Sequence, residues 1–331
     1  MPRSFYERWK PGADAQMLVL RSIDICDEYA EMGYDLTLRQ LYYQHVARGT
    51  IPNSQRSYKR LGDVVNRARM SGLMDWNHIV DRTRNLKGNS HWSSPSEIVQ
   101  SAAQSFRLDT RQDQPVHIEV WVEKEALAGV IARVASEMDV DHFSCRGYVS
   151  QSEQWRAGQR FLNCMRKGQR VVILHLGDHD PSGIDMTRDI RDRLMRFTHL
   201  DWIKENAKKF TDIERITFRD IAFDIAEHID DLNPGEGLHS PIQIERIALN
   251  FDQVEEYDPP PNPAKLTDAR AGSYIDEYGP ESWELDALPP DVLASLIREH
   301  IDDLTDHDLL DARVAEQEEG RRRLMELSAE F

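Results

Sequence analysis

Apolar and polar positions follow two periods along this chain, and the change between them divides it. Over residues 14–33 apolar side chains recur at helical spacing and stop at Gly33, which predicts an amphipathic helix. Thr37 is placed to cap a second helix over 38–48, which stops at Gly49. A third opens at Ser54–Gln55–Arg56, runs to Met70 and closes at Gly72. Residues 73–84 alternate and predict a strand or wing. Residues 85–114 are polar, with one helix, and read as a connector. The pattern then changes. Apolar runs at 117–122, 143–149 and 170–176 predict strands, with helices over 123–138, 153–167 and 184–198 between them. Residues 214–224 predict another strand, 243–249 are helical or extended, and the stretch Glu255–Arg270 is Pro-rich and irregular. From Pro290 to Phe331 the chain reads as helical and charged.

Strands alternating with helices imply βαβ units and a mostly parallel sheet. Three short helices followed by a wing form the pattern of a winged helix-turn-helix. The expected fold class is α/β: a winged helix-turn-helix domain over 1–84, a connector over 85–114, a Rossmann-like domain over 115–290 and a helical extension over 291–331. The third helix would be the recognition helix, with Arg56, Lys59, Arg60, Arg67 and Arg69 on it and Arg82 and Arg84 in the wing. A solvated basic face on a structural three-helix cap explains the same residues.

Composition narrows the setting. Cys26, Cys145 and Cys164 are scattered, which argues against a structural zinc and a disulfide framework. No apolar run approaches the ~20 residues of a membrane span, so the expectation is a cytoplasmic protein, nucleoid-associated if bacterial or phage-encoded. The net charge of −17 looks wrong for a nucleic-acid partner. Residues 1–90, however, hold 14 Lys and Arg against 10 Asp and Glu, and the remainder 27 against 48. A grip on DNA needs a local basic surface and not a basic total. The split allows a DNA-binding module on an acidic body and does not require one.

The candidate chemistry sits where the run Val171–Leu176 meets Gly177–Asp178–His179–Asp180–Pro181–Ser182–Gly183. Side chains at i and i+2 of an extended segment point the same way, so Asp178 and Asp180 stand together at a strand end. Open α/β sheets bind ligands at that edge, and paired carboxylates suit hard cations such as Mg²⁺. Asp180 also serves as a plain cap for the next helix. Glu123, in Trp121–Val122–Glu123–Lys124–Glu125, ends an earlier strand at the same edge, so three carboxylates can meet one or two Mg²⁺ ions, with Mn²⁺ as a substitute. Glu125 neighbours them, and Lys124 and Arg146 lie near enough to touch a phosphate. His175 and His179 flank the pair as structural residues, and Ser150 and Ser152 open a helix as caps or phosphate contacts.

A strand-end Glu with a separate D-x-D is the signature of the TOPRIM fold. The motifs WVEKEAL and LGDHDPSGIDM resemble the V-E-K-[DE] and D-x-D-P-x-G motifs of the topoisomerase VI A subunit and its relative, the meiotic double-strand-break protein. The stretch Arg39–Gln40–Leu41–Tyr42–Tyr43 is similar to that family's R-x-x-Y-Y, and Trp283–Leu288 to its E-[IL]-[ED]-A-L segment. The resemblance spans residues ~35–295 in the family's order. It implies that Glu123, Asp178 and Asp180 are the metal ligands and that Tyr43 attacks double-stranded DNA to give a 5′-phosphotyrosyl link. Arg39, one turn earlier, would serve the phosphate or the phenolate. It also implies a homodimer in which one protomer's tyrosine faces the other's metal, and a separate ATPase subunit as a possible partner. A phenol with a pKa near ~10 needs such help to attack at neutral pH.

Two other readings stand beside this one. TOPRIM nucleases of defence or mobile-element systems hydrolyse DNA with metal-activated water and need no tyrosine. A DNA-binding regulator would use the acidic site for no chemistry. A Tyr-Tyr pair also fits an amphipathic core helix in which one of the two packs, and Tyr42 reads as packing rather than chemistry. Trp283–Leu288 reads as core or as a dimer contact.

Overall fold

The computed structural model describes residues 3–80, 89–206, 242–265 and 267–330, the side chains of 199–206 apart. The strand expected over 214–224 lies outside the described residues.

The chain opens with three helices, α1 (Ala13–Glu31), α2 (Leu38–Ala47) and α3 (Gln55–Met70). Their starts are fixed locally. Thr37 and Gln40 form a reciprocal capping box, and Ser54 Oγ accepts the Ser57 amide. Leu18, Ile25, Leu41, Leu61 and Val65 close their shared core. The strand or wing expected over 73–84 is not present among the described residues. Trp76–His78 is instead a single 3₁₀ turn, and Ile79 makes one isolated parallel bridge to Leu36. The reason lies in α3. The Arg69 guanidinium stacks 4.6 Å from the Trp76 ring and donates to the Trp76 carbonyl at 2.6 Å, which curls the segment inward.

The body is an α/β layer with a four-stranded, all-parallel sheet in the order β2-β1-β3-β4: β1 (Val116–Val122), β2 (Asp141–Ser144), β3 (Arg170–Leu176) and β4 (Ile242–Ala248). Successive residues of β3 serve opposite faces. Val172, Leu174 and Leu176 join the core shared with the N-terminal helices, whereas Val171 and Ile173 join a second core with Trp121 and Phe161. Between the strands run α5 (Ala128–Glu137), α6 (Gln151–Arg166) and α7 (Pro181–Asn206). The second strand stops at Ser144, short of the expected 143–149, because Arg146 and Gly147 take left-handed φ values of 55° and 90° and turn the chain out of the sheet. The helix expected over 123–138 begins only after a 3₁₀ turn at Glu125–Leu127, which leaves Glu123 at the strand end.

Beyond β4 come α8 (Phe251–Tyr257), a two-residue antiparallel pair β5 (Asn262–Pro263) and β6 (Glu281–Ser282) around α9 (Ala271–Tyr278), and a 3₁₀ turn at Leu285–Ala287. The helical tail is α10 (Pro290–Asp303), packed on α5 and β4, and α11 (His307–Ser328). Helix α11 lies along α4 (Pro95–Ser105) of the polar connector, where Ser96 Oγ donates to the Ser328 carbonyl at 2.8 Å. Among the described residues no helix is long and apolar enough to cross a membrane.

Candidate functional site

Strands β1 and β3 are neighbours, with Val122 in register with Leu176, so Glu123 and Gly177 leave the sheet side by side. Gly177 suits the close approach, since a Cβ there would sit 3.0 Å from Glu123 Oε2 and the carboxylate would have to give way. The Asp178 amide donates to that same Oε2 at 2.8 Å. Asp178 Oδ1 accepts the Leu285 amide at 2.8 Å and lies 2.8 Å from Lys124 Nζ. Asp180 Oδ1 accepts the Gly183 amide at 2.7 Å and caps α7, which starts at Pro181, ahead of the expected 184. Gly183 allows the chain to pass directly over the Asp178 carbonyl, an approach no Cβ permits.

Each of the three carboxylates thus spends one oxygen on the fold. Among the described residues no hydrogen bond or ion pair reaches Glu123 Oε1, Asp178 Oδ2 or Asp180 Oδ2. No group of three or more His, Cys, Asp or Glu side chains among the described residues is already arranged to hold a metal ion. Burial, and then the Asp178 charge, push Glu123 up to about 7, and burial raises Asp178 as well. Glu125 turns away to pair with the exposed Arg146.

A half-buried arginine of β4, absent from the expected site, braces the turn from below. Arg246 donates to the carbonyls of Gly177, Asp178 and Gly183 at 2.9, 2.6 and 2.9 Å and to Thr187 Oγ1 at 2.8 Å. Burial lowers its pKa to about 10, against the pull of Glu123, Asp178 and Asp180. Its only sequence signal is an arginine inside an apolar strand. His175 is fully buried against Thr187 and held neutral, its pKa lowered to about 3 by burial and then Arg246. His179 points away from the carboxylates into Tyr274, Tyr278, Phe251 and Trp283, with Nδ1 2.8 Å from the Tyr274 hydroxyl. Both histidines are structural. Ser150, not Ser152, caps α6.

The segment Trp283–Leu288 carries two roles. Leu285, Ala287 and Leu288 are core, whereas Glu284 and Asp286 join a chain of ion pairs. Lys124 Nζ lies 2.9 Å from both Glu284 Oε2 and Asp286 Oδ1, and Arg39 of α2 pairs with the same two carboxylates, Nε to Asp286 Oδ2 at 2.8 Å. Burial works against the Lys124 charge, but Asp286, Asp178 and Glu284 outweigh it and hold the ammonium well above its ordinary pKa. Arg39 and Asp178 are thereby linked across two ion-paired carboxylates and one lysine. The alternation of Glu284 and Asp286 in the motif was the available signal for this bridge.

Tyr43 follows Arg39 by one helical turn and is 4% exposed. Its ring lies 5.9 Å from the Arg39 guanidinium, and it lines a cavity of about 390 Å³ with Arg39, Tyr42, Tyr58, Asn262 and Glu284. Burial raises its pKa, Glu284 and Asp286 raise it further, and Arg39 and the Asn262 amide oppose them. Tyr42 is a packing residue. Its hydroxyl accepts the Ser54 amide at 2.7 Å and donates to Asn53 Oδ1 at 2.8 Å.

Of the basic residues expected to face DNA, Arg56, Lys59, Arg60 and Arg67 are exposed along α3. Arg69 is not available there, being engaged with Trp76 and Ile79. Arg82 and Arg84 lie outside the described residues. No model of a known protein family matches the chain, and no curated protein is similar to it.

Proposed function

We propose that this chain is a Mg²⁺-dependent DNA-cleaving protein of the winged-helix and TOPRIM type, resembling the topoisomerase VI A subunit, with Tyr43 as the nucleophile. The observation that carries the reading is the convergence of Glu123, Asp178 and Asp180 from two adjacent strand ends, each with one oxygen committed to the fold and one without a partner among the described residues. That donor set of hard oxygens fits Mg²⁺. When bound there, Mg²⁺ supplies charge neutralisation for the scissile phosphate.

The remaining steps belong to the chain's own side chains. Exposed Arg56, Lys59, Arg60 and Arg67 bind the phosphate backbone. Arg39 keeps a cation one turn from Tyr43 and favours its phenolate. The Tyr43 oxygen attacks phosphorus and the P–O3′ bond breaks. The phenol proton ends on the released 3′-hydroxyl, and the 5′-phosphate remains on the tyrosine. In a homodimer each protomer's Tyr43 would work against its partner's carboxylates. A separate ATPase subunit would be needed only for strand passage.

The burial of Tyr43 favours a second reading, a hydrolytic nuclease in which water replaces the tyrosine. One experiment separates them. Labelled supercoiled DNA is incubated with the protein and Mg²⁺ and denatured with detergent. DNA attached to the protein, lost in Tyr43→Phe, is the expected result. Cutting that survives Tyr43→Phe and is lost in Asp180→Asn leaves the hydrolytic reading. Binding without any cutting leaves a regulator.

A further inference from the structure

We infer that Lys124 is a built-in cation of the acidic site, so that the site takes a single divalent ion and the lysine stands where a second would be. This rests on the metal-dependent reading above. An ammonium has three N–H donors. Those of Lys124 are matched by three carboxylate oxygens, Asp178 Oδ1 at 2.8 Å, Glu284 Oε2 at 2.9 Å and Asp286 Oδ1 at 2.9 Å. The head group is therefore held as an ion in a carboxylate cage, and not as a solvated tail along the surface.

Asp178 is the hinge of the argument. Sites with two metals hold their ions roughly 3.5–4 Å apart and share the surrounding anionic oxygens between them. Here one oxygen of Asp178 goes to the ammonium, and the other has no protein partner among the described residues. What remains for a divalent ion is that second oxygen, with Glu123 Oε1 and Asp180 Oδ2. Glu284 and Asp286 are not left over for a second ion, because Lys124 and Arg39 occupy them.

Charge points the same way. The carboxylates Glu123, Asp178, Asp180, Glu284 and Asp286 face the cations Arg39, Lys124 and Arg246. With all five ionised, as ligands of a cation are, the excess of negative charge equals one divalent ion. A second ion would leave buried positive charge unpaired, which low-dielectric surroundings penalise heavily.

The test counts Mn²⁺ bound per chain by electron paramagnetic resonance, on the full chain, in salt that screens the acidic surface. Asp180→Asn supplies the background, since its remaining oxygen still caps α7. The wild type is expected to hold one ion above that background. Lys124→Gln, checked for folding by circular dichroism, is expected to hold two, and Lys124→Arg one. The second ion of Lys124→Gln should disappear when Glu284→Gln is added. Two ions in the wild type overturn the inference and leave the metal reading standing, and that count needs no variant to fold. One ion in a folded Lys124→Gln chain also overturns it. No ion in the wild type removes the metal reading itself, and this inference with it.

Discussion

The Arg246 guanidinium donates to the carbonyl of Asp178 at 2.6 Å, from beneath the turn that carries the acidic pair. It reaches Gly177, Gly183, Thr187 and Leu249 as well, so one half-buried side chain satisfies acceptors on both sides of the turn. Orphaned buried acceptors each cost about 1–3 kcal/mol. Arg246→Met is therefore expected to destabilise the chain by roughly 3–5 kcal/mol in urea unfolding. Arg246→Lys, a point charge that cannot span the same acceptors, should recover only part of that loss. A loss below about 1 kcal/mol for Arg246→Met would show that the turn holds itself.

Glu123 sets a pH dependence between its unfolded value and neutrality. Its pKa is pushed up to about 7 in the folded chain, first by burial and then by Asp178. In the unfolded chain it is near ~4.3. The folded state therefore binds the proton more tightly, and stability falls as pH rises through this window. Above it the full cost of a buried charge remains. Glu123→Gln keeps an oxygen for the Asp178 amide and removes the titration. Without divalent ions the variant should be more stable than the wild type at pH 8, by on the order of 2 kcal/mol, with the gap closing near pH 4. Urea melts across that range check it, and a gap that does not change with pH would sink the argument.

His45 acts in the opposite direction. It is fully buried in the three-helix core, with Nε2 2.9 Å from Ser22 Oγ, and burial, then Arg48 and Arg21, lower its pKa to about 4. Unfolded, it titrates near ~6.5. Stability from the neutral imidazole is present above that value and is lost as pH falls through the folded pKa. His45→Gln should flatten the acid limb of the stability curve by about 2 kcal/mol between pH 6.5 and 4. Thermal melts of the two chains over that interval decide it.

What the sequence made legible follows from which signals are local. Strand β3 matches its expected residues because an apolar run bounded by Arg170 and Gly177 leaves one register that buries both faces. Asp180 was readable as either a cap or a site residue, and the structure gives its two oxygens different fates. Residues 73–80 carry no extended strand because Arg69, assigned to the basic recognition helix, folds over Trp76, a contact set by tertiary packing. Arg246 escaped notice for the same kind of reason, and so did the ion-pair partners of Glu284 and Asp286, although the segment that holds the two was singled out. The partners lie across the sheet or on α2, and no short-range pattern announces a pairing of that range.

The Pro-rich stretch contributes Asn262, whose amide orientation is set by a neighbour. Asn53 Nδ2 donates to Asn262 Oδ1 at 3.1 Å and to the Pro261 carbonyl at 2.9 Å, which leaves Asn262 Nδ2 as the free donor end. That nitrogen is buried without a partner of full hydrogen-bond geometry, and the carboxamide lowers the Tyr43 pKa against the effect of burial. The nitrogen borders the same cavity as the Tyr43 phenol, and a donor there favours the phenolate that the proposed mechanism brings to phosphorus. Removing one preorganised donor at such an oxygen typically costs about 10²–10³ in rate. Asn262→Ala is expected to slow formation of the covalent protein–DNA link by at least about tenfold, and to raise the Tyr43 pKa, read as the difference in ultraviolet titration between each chain and its Tyr43→Phe counterpart. Asn262→Asp, which places a like charge beside the phenolate, should be slower still. Unchanged linking and an unchanged titration in Asn262→Ala would reduce the residue to a wall of the cavity.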